Sequence, residues 1–313
     1  MRGELCIGSA SILSLAALLI LIFVHVGQTN TSSVPRRIAM AKLNVSLYGE
    51  GLTVGLGDTI NGLYTTNASA PLQEGAGLRQ LYEFGLYSYC AYTADANGTC
   101  TNHTIARGYK PYDAITSDMI ANYSQLTNFI IQGTTFKNSN TLASHSASAN
   151  YCLLVGTICV GVALLTFVLN WDLRHVVNNL FDASVLSFAS GIIKHTVAFF
   201  ISAFAAFAGT MLVLTGSALW TSVISRSEDI NSIIIGEPTA VPLGIIVSSG
   251  TGVYLSYNSH RYSKLALSDV VRITAPAVTV ARFSIIHTAN WVGSVAFMLT
   301  HDLTTTRKMD SNI

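Results

Sequence analysis

The sequence predicts an α-helical membrane protein, a bundle of four transmembrane helices carrying a small extracellular β-sheet domain. Three observations point there. Only 11% of the 313 residues are charged, against about 25% in an average soluble domain, and lipid-facing surface carries charge at high cost. Four long runs hold no Asp, Glu, Lys or Arg: Cys6–Val26, Tyr151–Trp171, roughly Thr196–Trp220 and Thr239–Tyr257. Six Asn-x-Ser/Thr sequons, at Asn30, Asn44, Asn67, Asn97, Asn102 and Asn122, all lie between the first two runs. Glycan transfer occurs on the lumenal side, so this placement fixes a side for that segment.

The first run is 21 residues of mostly Leu, Ile, Ala and Ser, enough to cross about 30 Å of hydrocarbon. It reads as a retained helix rather than a cleaved signal peptide. It is longer than a usual signal core, and His25-Val26-Gly27 is a poor cleavage site. The predicted division is 1–26 for the cytosolic N-terminus and first span, and 27–150 for the extracellular domain. Residues 151–260 then form spans two to four, and 261–313 a cytosolic tail.

Within 27–150, Leu43, Val45 and Leu47 alternate as on a half-buried strand, and Gly49–Gly62, with five glycines, reads as a turn-rich connection. Leu78–Tyr92 suits a second strand, and Asn97-Gly98-Thr99 is a turn signal between Cys90 and Cys100. Thr134–Asn150 reads as a flexible lead into the second span or its helical extension. In the tail, 283–300 lacks Lys, Arg, Asp and Glu. It reads as a fifth span, an interfacial helix or a partly ordered segment, with Arg272 and Arg282 beside Pro276 favouring the last two.

Orientation follows from Lys and Arg placement. With the N-terminus inside, the inner regions hold Arg2, then Arg174 and Lys194, then Arg261, Lys264, Arg272, Arg282, Arg307 and Lys308. The short second outer loop holds Arg226 against Glu228, Asp229 and Glu237. Charge and sequons agree: both termini are cytosolic.

In an oxidising compartment Cys90 and Cys100 pair by default, closing a loop worth roughly 2–3 kcal/mol. Two free thiols, or a metal pair with His103, are the other readings. Cys152 and Cys159 read as packing residues, and Cys6 lies where acylation occurs. Gly244, Ser248, Gly252 and Ser256 recur every four residues in the fourth run, a small-residue stripe that lets helices approach closely in lipid. Ala198, Ser202, Ala206 and Thr210 form a similar stripe in the third. No run carries an ionisable residue at its centre, which weighs against a transporter or channel. His25, His195 and His260 sit at span ends. Recurring catalytic motifs are missing, and Asp58, Glu74, Glu83, Asp95, Asp113 and Asp118 read as a solvated, charge-balanced surface. Net charge is +1, with no footprint for nucleic acid. No cofactor or metal is expected.

The run Phe84-Gly85-Leu86-Tyr87-Ser88-Tyr89-Cys90, then Cys100 and Gly108-Tyr109-Lys110-Pro111-Tyr112-Asp113, resembles the fungal claudin-like family of Sur-type cortical-patch proteins and PalI pH-response regulators. Position 87 is Tyr where claudins proper have Trp, which favours the fungal branch. The resemblance implies a claudin-like bundle and a Cys90–Cys100 disulfide presented by Gly85 and Leu86 on a strand, with Tyr87 and Tyr89 completing the motif. It also implies a non-enzymatic plasma-membrane protein of eisosome-type patches, cell-wall integrity or ambient-pH signalling. Its partners would be the bilayer, other membrane proteins or further copies of itself, and wall polymer. The alternatives are an accessory subunit of a channel or wall-polymer synthase, or a calcium-influx regulator; for the latter, Ser88 stands where that pattern has a second Gly. Glycans bracketing Cys100 favour a domain reaching into a wall over a close-packed junction.

Overall fold

A computed structural model describes the backbone of residues 2–180, 186–235 and 240–259, and the side chains of 11–166, 200–235 and 240–259. Helix α1 (Arg2–Val26) is followed by α2 (Ser33–Arg37), strand β1 (Ala41–Asn44), α3 (Tyr48–Leu56), β2 (Leu81–Phe84), β3 (Tyr89–Tyr92) and β4 (Gly98–Cys100). Then come α4 (Pro111–Asp118), α5 (Ala121–Ile130) and two long helices, α6 (Ser139–Leu180) and α7 (Leu186–Ser227). A 3-10 turn (Glu228–Ser232), strands β5 (Ile234–Ile235), β6 (Val241–Pro242) and β7 (Ile246–Ser249), and helix α8 (251–259) complete the described chain.

Helix α6 packs along α7, and α1 lies against α6. Small residues let the long pair approach: a Cβ on Gly156 would sit 3.2 Å from the Gly209 carbonyl oxygen. Ser202 Oγ donates to the Ala163 carbonyl at 3.1 Å and Thr210 Oγ1 to the Ala206 carbonyl at 2.6 Å, so both polar members of the third-run stripe are spent inside the bundle. Helix α8 joins through Ser217–Ser256 at 2.8 Å and through Ser259 Oγ to the Ala17 carbonyl at 3.1 Å. The opposite faces are apolar and bare: Ile12, Leu15, Leu19, Ile22 and Phe23 on α1, then Val155, Ile158, Val162 and Leu165 on α6. Helices apolar on both faces are at home in hydrocarbon rather than water.

The head is a five-stranded antiparallel sheet in the order β4-β3-β2-β1-β7. Alternation along the strands gives it two faces. Leu43, Tyr82, Phe84, Tyr89, Ala91 and Val247 face a core shared with Tyr109, Ala114 and Ile115. Lys42, Glu83, Cys90 and Cys100 form a row across the other, each residue opposite the next.

The structure corrects several expectations. Among the described residues two helical segments, not four, are long and apolar enough to cross a membrane: Ser139–Thr166 and Phe200–Ser232. Ser11–Val26, the fully described part of α1, is a shorter apolar helix. The fourth run is not one helix. Pro242 lacks an N–H, Gly244 has φ +80°, and Ile246–Ser249 instead hydrogen-bonds to β1 as an edge strand, so the helix starts only at 251. Its stripe therefore dissolves, with Gly244 in a loop, Ser248 in β7, and only Gly252 and Ser256 helical.

Gly49–Gly62 is mostly helix α3 rather than a connection. Its glycines serve contact: a Cβ on Gly51 would meet the Leu243 carbonyl oxygen at 2.7 Å, and one on Gly55 the Ile235 side chain at 2.7 Å. Leu47 falls outside β1 and is exposed. Leu78–Tyr92 is two strands with a turn between them. Ser139–Asn150 is the start of α6, the helical extension and not a flexible lead, rising about 18 Å before Tyr151 at 1.5 Å per residue. Residues 261–313, including the 283–300 segment, lie outside the described residues, as do the side chains of Cys6, Ala198 and His195 and all of His260.

Candidate functional site

The motif turns out to be a joint. Phe84 ends β2 and Tyr89 begins β3, so Gly85, Leu86, Tyr87 and Ser88 are the turn between them, not a strand. Gly85 N–H donates to the Ser88 carbonyl at 2.9 Å, closing the turn. A Cβ on Gly85 would lie 2.6 Å from the Gly27 carbonyl oxygen and 2.8 Å from Gln28 Cβ, so only glycine lets this turn seat on the end of α1.

The neighbours of Gly85 in the turn then hold α6, α1 and the chain leaving α1. The Leu86 carbonyl accepts from Asn150 Nδ2 of α6 at 3.1 Å, and the Arg107 carbonyl accepts from the same amide at 3.0 Å. Asn150 Oδ1 in turn accepts from Trp220 Nε1 of α7 at 2.8 Å. Tyr87 Oη lies 2.6 Å from His25 Nδ1 on α1, and His25 Nε2 lies 2.9 Å from Thr157 Oγ1 on α6. Ser88 Oγ donates to the Gln28 carbonyl at 2.5 Å. Behind the turn, Tyr109 packs edge-on between Phe84 and Trp220, with ring centroids 4.8 and 5.9 Å away. Its N–H donates to Ser146 Oγ at 2.7 Å. Helices α1 and α6 thus close on one four-residue turn of the head, and α7 joins them through the Trp220–Asn150 bond.

Beside the joint, Gln28 caps the disulfide face. Its backbone takes the left-handed region at φ 56°, and its side-chain amide donates to the Arg36 carbonyl at 2.7 Å and to Glu83 Oε2 at 3.0 Å. Lys42 Nζ meets Glu83 Oε1 at 2.7 Å directly across the strands. Cys90 and Cys100, opposite each other on β3 and β4, are joined as a disulfide. Arg36 stacks 4.3 Å over the Tyr92 ring and donates to the Ala96 carbonyl at 2.7 Å, clamping the β3–β4 turn.

A second buried cluster ties the 65–79 loop to α4. Arg79 Nη1 and Asp118 Oδ2 are 3.3 Å apart, and both residues are essentially inaccessible. Asp118 also accepts from Tyr82 Oη at 2.7 Å and from the Gln73 N–H at 2.6 Å, and Arg79 Nη2 donates to the Ala70 carbonyl. Burial pushes the Asp118 carboxyl above its ordinary range, against the pull of these donors and of Arg79. Burial likewise raises the hydroxyls of Tyr48, Tyr82, Tyr89 and Tyr109, and that of Tyr92 to about 12.

Glu83 and Asp118 are therefore not part of a solvated surface; their partners lie 41 and 39 residues away in sequence, beyond the reach of any local pattern. Asp58, Glu74 and Asp95 are exposed. All six sequon asparagines are exposed too, at Asn30, Asn44, Asn67, Asn97, Asn102 and Asn122. Cys152 and Cys159 are free and half-buried on α6, and His103 is exposed. Among the described residues no group of three or more His, Cys, Asp or Glu is placed to hold a metal ion.

A family profile described as the SUR7/PalI family matches residues 6–232, from α1 through the 3-10 turn after α7. The chain belongs to the SUR7/PalI family. No curated protein matches it. The SUR7/PalI match takes in the motif turn, the disulfide and the three helices that hold them, which makes the joint the common ground between this head and its membrane part. Sequence reasoning found the motif residues but not their task, and it missed Gln28, Asn150 and Trp220. Asn150 was legible only as a polar residue at the border of an apolar run.

Proposed function

We propose that this protein organises cortical domains of the fungal plasma membrane, as a scaffold without enzymatic activity of its own. The match to the SUR7/PalI family over residues 6–232 carries the reading. The head faces outward with its glycans and both termini face the cytosol. All six sequons lying in the head on exposed asparagines supports that orientation. A head tied to the bundle through the Gly85–Ser88 turn, Tyr109 and Asp113 suits the role, because a contact made by the head is passed on to the helices. The outward apolar faces of α1 and α6 meet lipid or the helices of neighbours, while the small residues of α7 are used within the bundle. Wall polymer or a neighbouring membrane protein is the partner of the head.

A fluorescent fusion in a living fungal cell tests this. Static cortical patches that redistribute in a wall-defective or pH-response mutant are expected; a uniform internal-membrane pattern contradicts the proposal. Native pull-down then separates homotypic clusters, which fit a scaffold, from a stoichiometric large partner, which fits an accessory subunit.

A further inference from the structure

A cleft of about 500 Å³ opens in the head where the chain leaving β4 passes the start of α4; Gln73, Phe84, Tyr89, Arg107, Lys110 and Asp113 line it. Its floor is aromatic and closed, with Phe84 4% and Tyr89 3% exposed. The Tyr89 hydroxyl is buried there without a hydrogen bond of good geometry, the Gln73 side chain being the polar group that acts on it. Roughly nine in ten buried polar atoms have a partner, so a hydroxyl held only loosely by Gln73 at a cleft wall has room for a better one.

The rim is cationic. The Arg107 guanidinium lies 5.0 Å over the Tyr89 ring and donates Nη1 to the Asn102 carbonyl at 3.1 Å. Those two contacts hold the fork in place, and its remaining donors are uncommitted among the described residues. Lys110 precedes Pro111 at the start of α4 and brings a second cation to the same rim. Lys110 Nζ stands 3.6 Å from Asp113 Oδ2, with both side chains 48% exposed. The one carboxylate on the wall is already engaged, since Asp113 Oδ1 accepts from Ser139 Oγ at 2.8 Å. Two cations outweigh it, beside a hydroxyl that lacks a well-formed hydrogen bond. A planar five-donor fork matches carboxylate and phosphate oxygens in pairs.

We propose that this cleft binds an anionic oxygen group, a carboxylate or a phosphate carried on a small ligand or polymer end. Arg107 is the fork, Lys110 the second cation and Tyr89 the neutral donor. The site adjoins the joint through Phe84 and the Arg107 backbone, yet its binding chemistry does not depend on the organising role.

The test is isothermal titration of the full-length protein in detergent micelles with galacturonate, inorganic phosphate and uncharged galactose. Saturable binding of at least one anion and none of galactose is expected, weakening as salt is raised. Arg107→Gln should weaken it tenfold or more. Lys110→Gln, at an exposed position that leaves the fold intact, should weaken it about threefold. Saturation by galacturonate alone assigns a carboxylate ligand, by phosphate alone a phosphate ester, and by both a site that selects charge. Absence of saturation by either anion, equal binding of galactose, or unchanged affinity in folded Arg107→Gln protein overturns the proposal.

Discussion

Asp118 shows how much a single side chain can hold. It receives Arg79, Tyr82 and the Gln73 N–H at once in a site closed to water. Asp118→Asn leaves Arg79 as a buried, uncompensated cation, and removing one partner of a buried pair costs about 3–5 kcal/mol. A correspondingly lower thermal midpoint is expected, with the isosteric change excluding a packing defect. The tyrosines make a second prediction. Unfolded tyrosine ionises near 10, whereas burial holds Tyr48, Tyr82, Tyr89 and Tyr109 protonated to higher pH. Above pH ~10 the folded state binds more protons than the unfolded one, so stability falls as pH rises further. Phenolate absorbance should therefore lag the titration of free tyrosine and then rise together with unfolding. At this scale the sequence was least informative. A Glu or Asp among scattered charges has the same local pattern whether it faces solvent or an arginine 39 residues back.

At the scale of elements, the turn between β2 and β3 is a principal tie between head and bundle. Gly85→Ala drives a Cβ to 2.6 Å from the Gly27 carbonyl oxygen, and overpacking of that kind costs about 1–3 kcal/mol. Gly161→Ala is the control: its Cβ would meet nothing closer than 3.9 Å, and within a helix the change is neutral or stabilising by up to about 1 kcal/mol. Thermal midpoints of the two variants should move apart. Asn150→Leu strips partners from Trp220 Nε1 and from the Leu86 and Arg107 carbonyls. Each buried group left unmet costs about 1–3 kcal/mol, so this variant should melt earliest. Reducing Cys90–Cys100 should cost roughly 2–3 kcal/mol by releasing a short loop.

The elements best read from sequence were those whose pattern is local. Apolar runs gave α6 and α7; of the Leu43, Val45 and Leu47 alternation only Leu43 lies in β1; and the turn signal Asn97-Gly98-Thr99 marked the reversal between β3 and β4, though Gly98 and Thr99 already belong to β4. Residues 239–257 were misread because an uncharged stretch looks alike whether it crosses lipid or lies against a sheet. The decision falls to Pro242, Gly244 and the vacant edge of β1, and only the last of these lies outside the stretch. Helix α3 was missed for a related reason. Glycines that loosen an isolated chain here admit Leu243 and Ile235 at close range.

For the whole molecule, the Gly85–Ser88 turn is one of several ties between head and bundle, with Tyr109–Ser146 and Asp113–Ser139 among the others, and the proposed organising role depends on that union. Sidedness has its own check. Glycosidase treatment of the intact protein should increase its mobility, and the shift should vanish when Asn30, Asn44, Asn67, Asn97, Asn102 and Asn122 are all changed to Gln. The most direct test of the role is photobleaching recovery of a fluorescent fusion at the cortex, comparing the natural chain with Asn150→Leu at matched surface levels. The natural protein should sit in static patches that recover slowly, and the variant, with its joint loosened, should spread and recover quickly. Free diffusion of the natural protein, or patches unaltered in the variant, would contradict it.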